Sequence, residues 1–453
     1  MKSTIPIYLG LFLILFSSCQ KDDDIALNTY QVRGQVVDQL GNSLNAIQIY
    51  YGTDNFVLSD SLGNWTINYL INTQTITPKS SRYVFEPSSV EVCGTDSILF
   101  VGTKVLNTNE QQVFNWFTQQ QLSNGLMESV EDGNLVSLYD NALAAMVFML
   151  NNDFESAEKI FDFFNARINS ELLVAPGGFS QFRYPNGVPN KHRWMGDNAW
   201  LLVALNNYQA LTGKTTYNRL SHEISAWLIS LQDTDGGLFA GYDASDNLLN
   251  YKVTEGNIDA FNAIEGYETF HQNLLDFLEQ DRWDSNDRNL VSWPGNPPYL
   301  YALDVHSWSY LIFEQYPVSA LTTAERFLNT QSNINGIPII GYCFDEDQDV
   351  VWLEGSAQMC IAFEEAGMLS ERDFYMSEIE KGFFQSTKFS DAGGFPYTVN
   401  MGTAYGSDPL WQGANENICI SSGAWYLFAT HNFNPFEVGK QKNVPIDDAF
   451  WRY

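Results

Sequence analysis

The chain has 453 residues, 45% of them hydrophobic and 17% charged, a globular composition long enough for two domains. Its formal charge of −31 leaves no basic footprint and excludes nucleic acid and anionic membrane surfaces as electrostatic partners. Aromatic residues reach 15%, with 12 Trp and 23 Tyr, a content that serves either sugar stacking or a large aromatic core.

Lys2 precedes an apolar run from Ile5 to Phe16, too short to cross a bilayer and suited to the core of a cleavable leader. The run ends Phe16-Ser17-Ser18-Cys19, which resembles a bacterial lipobox. On that resemblance residues 1–18 are a signal peptide and Cys19 is lipidated. Gln20-Lys21-Asp22-Asp23-Asp24, within an acidic tether over 19–29, is similar to the surface-export tag of Bacteroidetes lipoproteins. The resemblance implies an outer-membrane lipoprotein held through its lipid anchor, at the cell surface or on the periplasmic face, beside neighbouring glycan-uptake proteins. An ordinary secretory leader with an incidental cysteine is the alternative. Cys93, Cys343, Cys360 and Cys419 are scattered without zinc spacing, and Cys360 and Cys419 fall in apolar helical patterns as small core residues.

From Tyr30 to Lys104 the pattern has period two. Val32, Gly34 and Val36 lead to Gly41-Asn42, then Ile47, Ile49 and Tyr51, then Gly63-Asn64 before Trp65, Ile67 and Tyr69. Such runs predict hairpins of a small antiparallel β-sandwich. The stretch is similar to carboxypeptidase-regulatory-like modules, which implies a spacer, with glycan binding as the other option.

From Asn107 onward the period becomes helical, and a unit of outer helix, long glycine loop, inner helix and short turn repeats six times. Outer helices are predicted to end near Gln121, Asn165, Gln232, Glu279, Gln331 and Gln385. The loops carry Asn124-Gly125-Leu126, Gly177-Gly178-Phe179, Gly236-Gly237-Leu238, Trp293-Pro294-Gly295, Asn335-Gly336-Ile337 and Gly393-Gly394-Phe395. Inner helices open at Tyr139-Asp140-Asn141, Gly196-Asp197-Asn198, Asn257-Ile258-Asp259, Leu303-Asp304-Val305, Leu353-Glu354-Gly355 and Ser421-Ser422-Gly423. Connections such as Asn151-Asn152-Asp153 are short, so the long loops gather at one end. This predicts an all-α (α/α)6 toroid over 107–453. With its Gln-x-x-x-Gly-Gly loop and Trp/Glu/Asp helix openings, the region resembles the six-hairpin glycosidase superfamily, which includes unsaturated-glucuronyl hydrolases. Gly196-Asp197-Asn198-Ala199-Trp200 departs from the Arg-Gly-Asn-Gly-Trp run of those hydrolases, which leaves that substrate open.

A carboxylate in a first helical turn caps free backbone N–H groups, and for any one rim acid that reading stands. Capping does not require the tryptophans beside these openings, and glycoside hydrolysis needs one protonated and one ionised carboxyl. The candidate catalytic acids are Asp197, Glu255, Asp259 and Glu354, with Asp197 expected to face Glu255 or Asp259 across the cleft. Candidate substrate contacts are Arg193, Trp194, Asp140, Asp304, His306, Trp308, Trp352, Trp411 and Glu416. Arg193 and His192 serve either an acidic sugar or, for Arg193, an ion pair with a rim acid. His306 is either a base or a hydrogen-bonded structural residue. Asp345-Glu346-Asp347-Gln348-Asp349 lacks the EF-hand pattern and reads as a solvated loop rather than a calcium site.

No metal or cofactor is expected. The expected activity is glycoside hydrolysis of an oligo- or polysaccharide, with inversion. Two alternatives stand beside it: a non-catalytic glycan-binding lipoprotein, and a lyase or epimerase acting on uronate sugars.

Overall fold

A computed structural model describes residues 29–39, 41–52, 55–80, 83–105, 107–402 and 410–453. The leader, Cys19 and the tether up to residue 28 lie outside the described residues. The chain divides into two compact units, one ending at Leu106 and one spanning Asn107–Tyr453. No helix among the described residues is long and apolar enough to cross a membrane.

The first unit has eight strands: β1 (Tyr30–Asp38), β2 (Gln48–Tyr51), β3 (Asn55–Leu58), β4 (Asn64–Leu70), β5 (Gln74–Lys79), β6 (Tyr83–Glu86), β7 (Val90–Val92) and β8 (Asp96–Lys104). They form two four-stranded sheets, β4-β1-β8-β6 and β3-β2-β5-β7. Alternate side chains, among them Val32, Val36, Ile49, Trp65, Ile67, Ile76 and Phe100, make the buried core between them. The topology departs from a run of hairpins. β1 and β2 lie in different sheets, and β1 pairs antiparallel with β4 and parallel with β8. The period-two pattern fixes which face is buried but not which strand is the neighbour.

The second unit is a two-layer helical ring. Its inner helices are α2 (Leu138–Leu150), α4 (Met195–Thr212), α6 (Thr254–Ala263), α8 (Leu303–Ile312), α10 (Leu353–Glu365) and α12 (Ile420–His431). Each packs on the next and α12 returns to α2, closing the ring. The outer helices are α1 (Thr108–Gln120), α3 (Phe154–Asn165), α5 (Asn218–Ser230), α7 (Thr269–Asp281), the short α9 (Ser319–Thr323) and α11 (Leu369–Glu380).

Sequence explains the layering. In α2 every residue from Asn141 to Met149 is buried, whereas α3 buries a stripe of Ser156, Ala157, Ile160, Phe161, Phe163 and Phe164. The short Asn151–Asp153 turn ends with Asp153 Oδ1 accepting the Ser156 N–H at 3.1 Å, which caps α3 at once.

Two predicted helix ends are corrected. Gln331 lies in a strand, Leu328–Ser332, paired with Pro338–Tyr342 around Asn335-Gly336. Asn335-Gly336 ahead of Ile339 and Ile340 is a hairpin signal, and here it overrides the helical period. Gln385 also lies in a two-residue strand, beyond the end of α11 at Glu380.

The C-terminal segment closes the far end of the ring. Asn207 and Asn262 donate side-chain N–H groups to the carbonyls of Pro435 and Phe436 at 2.8 and 2.9 Å. These bonds seat Phe436 against Trp200, Trp308 and Trp425, with ring centroids 4.9, 5.7 and 6.4 Å away.

Candidate active site

Five of the six inner helices carry an acid at their second or third residue: Asp140, Asp197, Glu255, Asp304 and Glu354. Because the helices are parallel staves of one ring, their N-termini converge on one mouth. The partial positive charge at each N-terminus favours carboxylates there. Outside α2 the residues that precede these helices leave the free N–H groups to the acids. Trp194, Val253, Ala302 and Trp352 precede α4, α6, α8 and α10 without a side-chain cap bond, and Ser137 caps α2. Asp304 does bond backbone, accepting the Val305 N–H at 2.7 Å.

Burial dominates the electrostatics of the ring, disfavouring charge on every member. It raises Asp140 to about 7 against the pull of the Ser129 and Ser137 hydroxyls, and raises Asp304 to about 7. Burial likewise takes Asp197 to about 8, opposed by the Tyr139 N–H and Gln181 and reinforced by the charge of Asp140. Glu354 rises to about 8 by burial, opposed by hydrogen bonds from Tyr139 and Ser421. Glu255 is pushed well above the carboxylate range by burial and then by Asp304, Asp197 and Glu354. Asp259, one turn inside Glu255, is raised in the same way by burial and then by Glu255. It is fully buried and both its oxygens lack a hydrogen-bond partner. Gly196 makes room for it: a Cβ there would lie 3.4 Å from Asp259 Oδ2, and one on Gly256 would press on Met195 at 2.9 Å.

The expected opposition of acids is corrected by ring order. α4 and α6 are neighbours, so Asp197 and Glu255 sit side by side rather than across the cleft. α10 stands three places from α4, which puts Glu354 opposite Asp197. Glu354 is also the best-held acid. Its Oε1 accepts the Tyr139 hydroxyl at 2.6 Å and the Gln358 amide at 3.4 Å. Glu255, by contrast, is only half-buried.

Beneath the acids the barrel axis is filled by Trp200, Trp308 and Trp425, at 5.3, 5.7 and 6.2 Å pairwise. Trp308 is therefore a floor residue. Trp425 stacks on it and Trp200 and Phe436 flank it, so it offers no open face for a sugar. His306 is corrected as well: its Nδ1 lies 2.9 Å from the Ala320 carbonyl and its ring packs on Phe327, in the outer layer. Arg193 pairs at 2.8 Å with Asp246, on the turn joining the strands Gly241–Tyr242 and Leu248–Leu249, and not with a rim acid. Trp352 is 2% exposed, packed between Phe344 and Tyr397. Glu416 is exposed on the turn before α12. Among the described residues no group of three or more His, Cys, Asp or Glu has the arrangement to hold a metal.

The loops above the acids carry a continuous belt of rings. His192, Trp194, Tyr251, Trp293, Tyr299, Phe344, Trp352, Tyr397 and Trp411 follow one another at centroid spacings of 4.6–6.2 Å. Trp194 is half-buried, and Trp411 is 41% exposed at the open end.

Several residues that position this site escape a search for acids. Asn198 accepts the Phe179 N–H at 2.9 Å and donates to the carbonyls of Phe179 and Trp194 at 3.0 and 2.9 Å. Asn141 clasps Met127 and Asn257 clasps Leu238 in the same manner. Each latch ties an inner helix to the loop behind it, and the repeated Asp-Asn-Ala at 140–142 and 197–199 is its trace in the sequence. Gln121 and Gln232 donate to the Gly125 and Gly236 carbonyls and also to Ser156 and Phe270, joining each glycine loop to the next outer helix. Gly236, at φ +95°, cannot be replaced, since a Cβ would lie 1.9 Å from the Asn273 carbonyl oxygen. Tyr139 precedes the first acid and is not singled out by any pattern.

No protein-family model and no curated protein matches the chain. Solved structures do. A wild-type glycosidase aligns with 72% of this chain and 96% of its own at 14% identity and a TM-score of 0.51. A D-mannose isomerase aligns with 73% and 96% at 10% identity and 0.52, and an α-amylase from Clostridium perfringens with 72% and 97% at 11% identity and 0.51. At these identities the likeness is one of fold: the chain shares the helical toroid of sugar-acting enzymes.

Proposed function

We propose that the protein is a glycoside hydrolase acting on a neutral oligo- or polysaccharide, with Glu255 as general acid and Glu354 as the carboxylate that activates water. The observation that carries this reading is the contrast between the two acids. Burial raises both, Glu354 to about 8, but Glu354 accepts a 2.6 Å hydrogen bond from Tyr139 that favours its ionised form, whereas Glu255 is pushed well above the carboxylate range by burial and then by three neighbouring carboxylates. Such a split is what acid-assisted departure of a sugar and attack of a base-activated water require, and a water-mediated attack inverts the anomeric centre.

Charge supports a neutral substrate. The basic groups near the mouth are engaged: Arg193 with Asp246, and Lys252 with Asp233 and Asp235. The segment 403–409 contains no Lys, Arg or His. Among the described residues neither Arg193 nor Lys252 is left free to neutralise a uronate carboxylate entering beside five acids. Lyase or epimerase chemistry on uronates would also need Arg193 and His306, one ion-paired and the other turned to the outer layer. The less buried rings of the belt, Trp194 and Trp411 among them, suit stacking of sugars on the approach. The lipid anchor at Cys19 and an outer-membrane address, with glycan-uptake proteins as neighbours, belong to the same proposal.

The test is a panel of neutral hexasaccharides (malto-, cello-, manno- and xylohexaose) beside polygalacturonate and alginate. Hydrolysis of at least one neutral substrate is expected. Binding without product on every member would favour a glycan-binding protein. Ultraviolet absorbance from an unsaturated uronate product would overturn the reading.

A further inference from the structure

Three inner helices contribute to one hydrogen-bond chain at the mouth. Trp425 on α12 is fully buried, and its Nε1 lies 2.8 Å from the Tyr139 hydroxyl oxygen. That oxygen lies 2.6 Å from Glu354 Oε1 on α10. The direction of the chain follows from chemistry alone. An indole N–H donates and cannot accept, so it occupies a lone pair of the phenol oxygen. A phenol has one hydrogen, and the remaining short contact is to Glu354, so Tyr139 donates there. Oε1 is thereby an acceptor in the resting site.

We propose, building on the assignment of Glu354 as the water-activating carboxylate, that Tyr139 is a positioning residue that aims Glu354 and favours its ionised form, with Trp425 fixing the direction in which Tyr139 donates. The packing agrees. Tyr139 reaches Glu354 past α12, and its ring rests edge-on against Trp200 at 5.1 Å, so the phenol cannot swing away without disturbing the floor. The groups that act on Glu354 are Asp140 from α2, Asp304 from α8, Ser421 from α12 and Gln358 from its own helix, and its own charge is felt by Glu255 on α6. The two acids among the first four oppose ionisation, while the Ser421 hydroxyl and the longer Gln358 contact support it. Burial opposes ionisation most strongly, and the Tyr139 hydroxyl at 2.6 Å is the short donor set against it.

The experiment compares wild type with Tyr139→Phe, which keeps the ring and removes the donor. Two readouts are taken. The first is the pH dependence of kcat and KM on whichever neutral hexasaccharide of the panel is cleaved fastest. The second is the infrared titration of the Glu354 carboxyl, identified by difference against Glu354→Gln, with no sugar present. The account expects the acid limb of kcat and the carboxyl titration to move together to higher pH by about one unit. A limb moved by one unit lowers kcat about tenfold on its acid side, with KM nearly unchanged. Trp425→Phe, which frees the phenol hydrogen to turn, should move both in the same direction by less. An unmoved carboxyl titration in a folded Tyr139→Phe protein overturns the proposal, whatever happens to the rate. If no hexasaccharide is cleaved, the hydrolase assignment fails while the infrared titration still decides what Tyr139 does to Glu354.

Discussion

Replacing Asp197 by Asn should make the toroid more stable at pH 8 and leave it nearly unchanged at pH 4. Asp197 is 7% exposed, and burial raises its carboxyl from the ordinary 3.8 to about 8. In the unfolded chain the group ionises near its ordinary value, so the folded state binds a proton that the unfolded state has lost. Its contribution to stability is complete below pH 3.8, declines as pH rises through the interval, and is flat above about 8. That interval is roughly four pH units, each worth about 1.4 kcal/mol, which gives a ceiling near 6 kcal/mol. Relaxation and water entry reduce it, and about 1–3 kcal/mol is the working expectation. The amide keeps an acceptor for the Tyr139 N–H, which lies 3.4 Å from Oδ1. The assay is urea unfolding at pH 4, 6 and 8, followed by tryptophan fluorescence, which reports on the toroid because all of the 12 tryptophans except Trp65 lie in it. A variant equally stable or less stable than wild type at pH 8 would refute the claim that the ring acids are held against their preferred ionisation.

The remaining expectations concern the scaffold and the approach to the site. Asn198→Ala removes three hydrogen bonds, two to Phe179 in the glycine loop and one to the Trp194 carbonyl before α4, and should cost about 3 kcal/mol in unfolding free energy. Phe436→Ala opens a cavity under Trp200, Trp308 and Trp425, and should cost about 3–5 kcal/mol with a red shift in tryptophan emission. Trp411→Ala, at an exposed ring leaning on Tyr397 at 4.6 Å, should raise KM for a hexasaccharide several-fold while changing stability by less than about 0.5 kcal/mol.

The alternation of short turns and long glycine loops carries the six-unit plan, because a helix buried all round and a helix buried on one stripe differ in composition as well as period. That is why Ala142 to Leu150 and Asp153 to Phe164 separate by eye. The fifth outer helix was not legible for the opposite reason. Leu328 to Ser332 contains no strong strand run, and only the Asn-Gly at 335–336 betrays the hairpin. The acids were legible as a set because each opens an inner helix. Which of them oppose one another depends on ring closure, which brings Glu354 opposite Asp197 and sets Glu255 beside it. Burial of aromatic faces was the hardest feature to read. Trp308, Trp352 and Trp411 look alike in the sequence, yet one is floor, one is packed in the belt and one is open. Tyr139 is invisible for a related reason: its partners Glu354 and Trp425 stand 215 and 286 residues away.

The measurement that bears most directly on the division of labour at the mouth is hydrolysis of the best neutral hexasaccharide by Glu255→Gln and Glu354→Gln, with the product anomer followed by proton NMR. The account predicts a loss of about 100-fold or more in kcat for each variant, and a first-formed product of inverted configuration. Wild-type turnover by both variants, or a retained anomer from the wild-type enzyme, would contradict it.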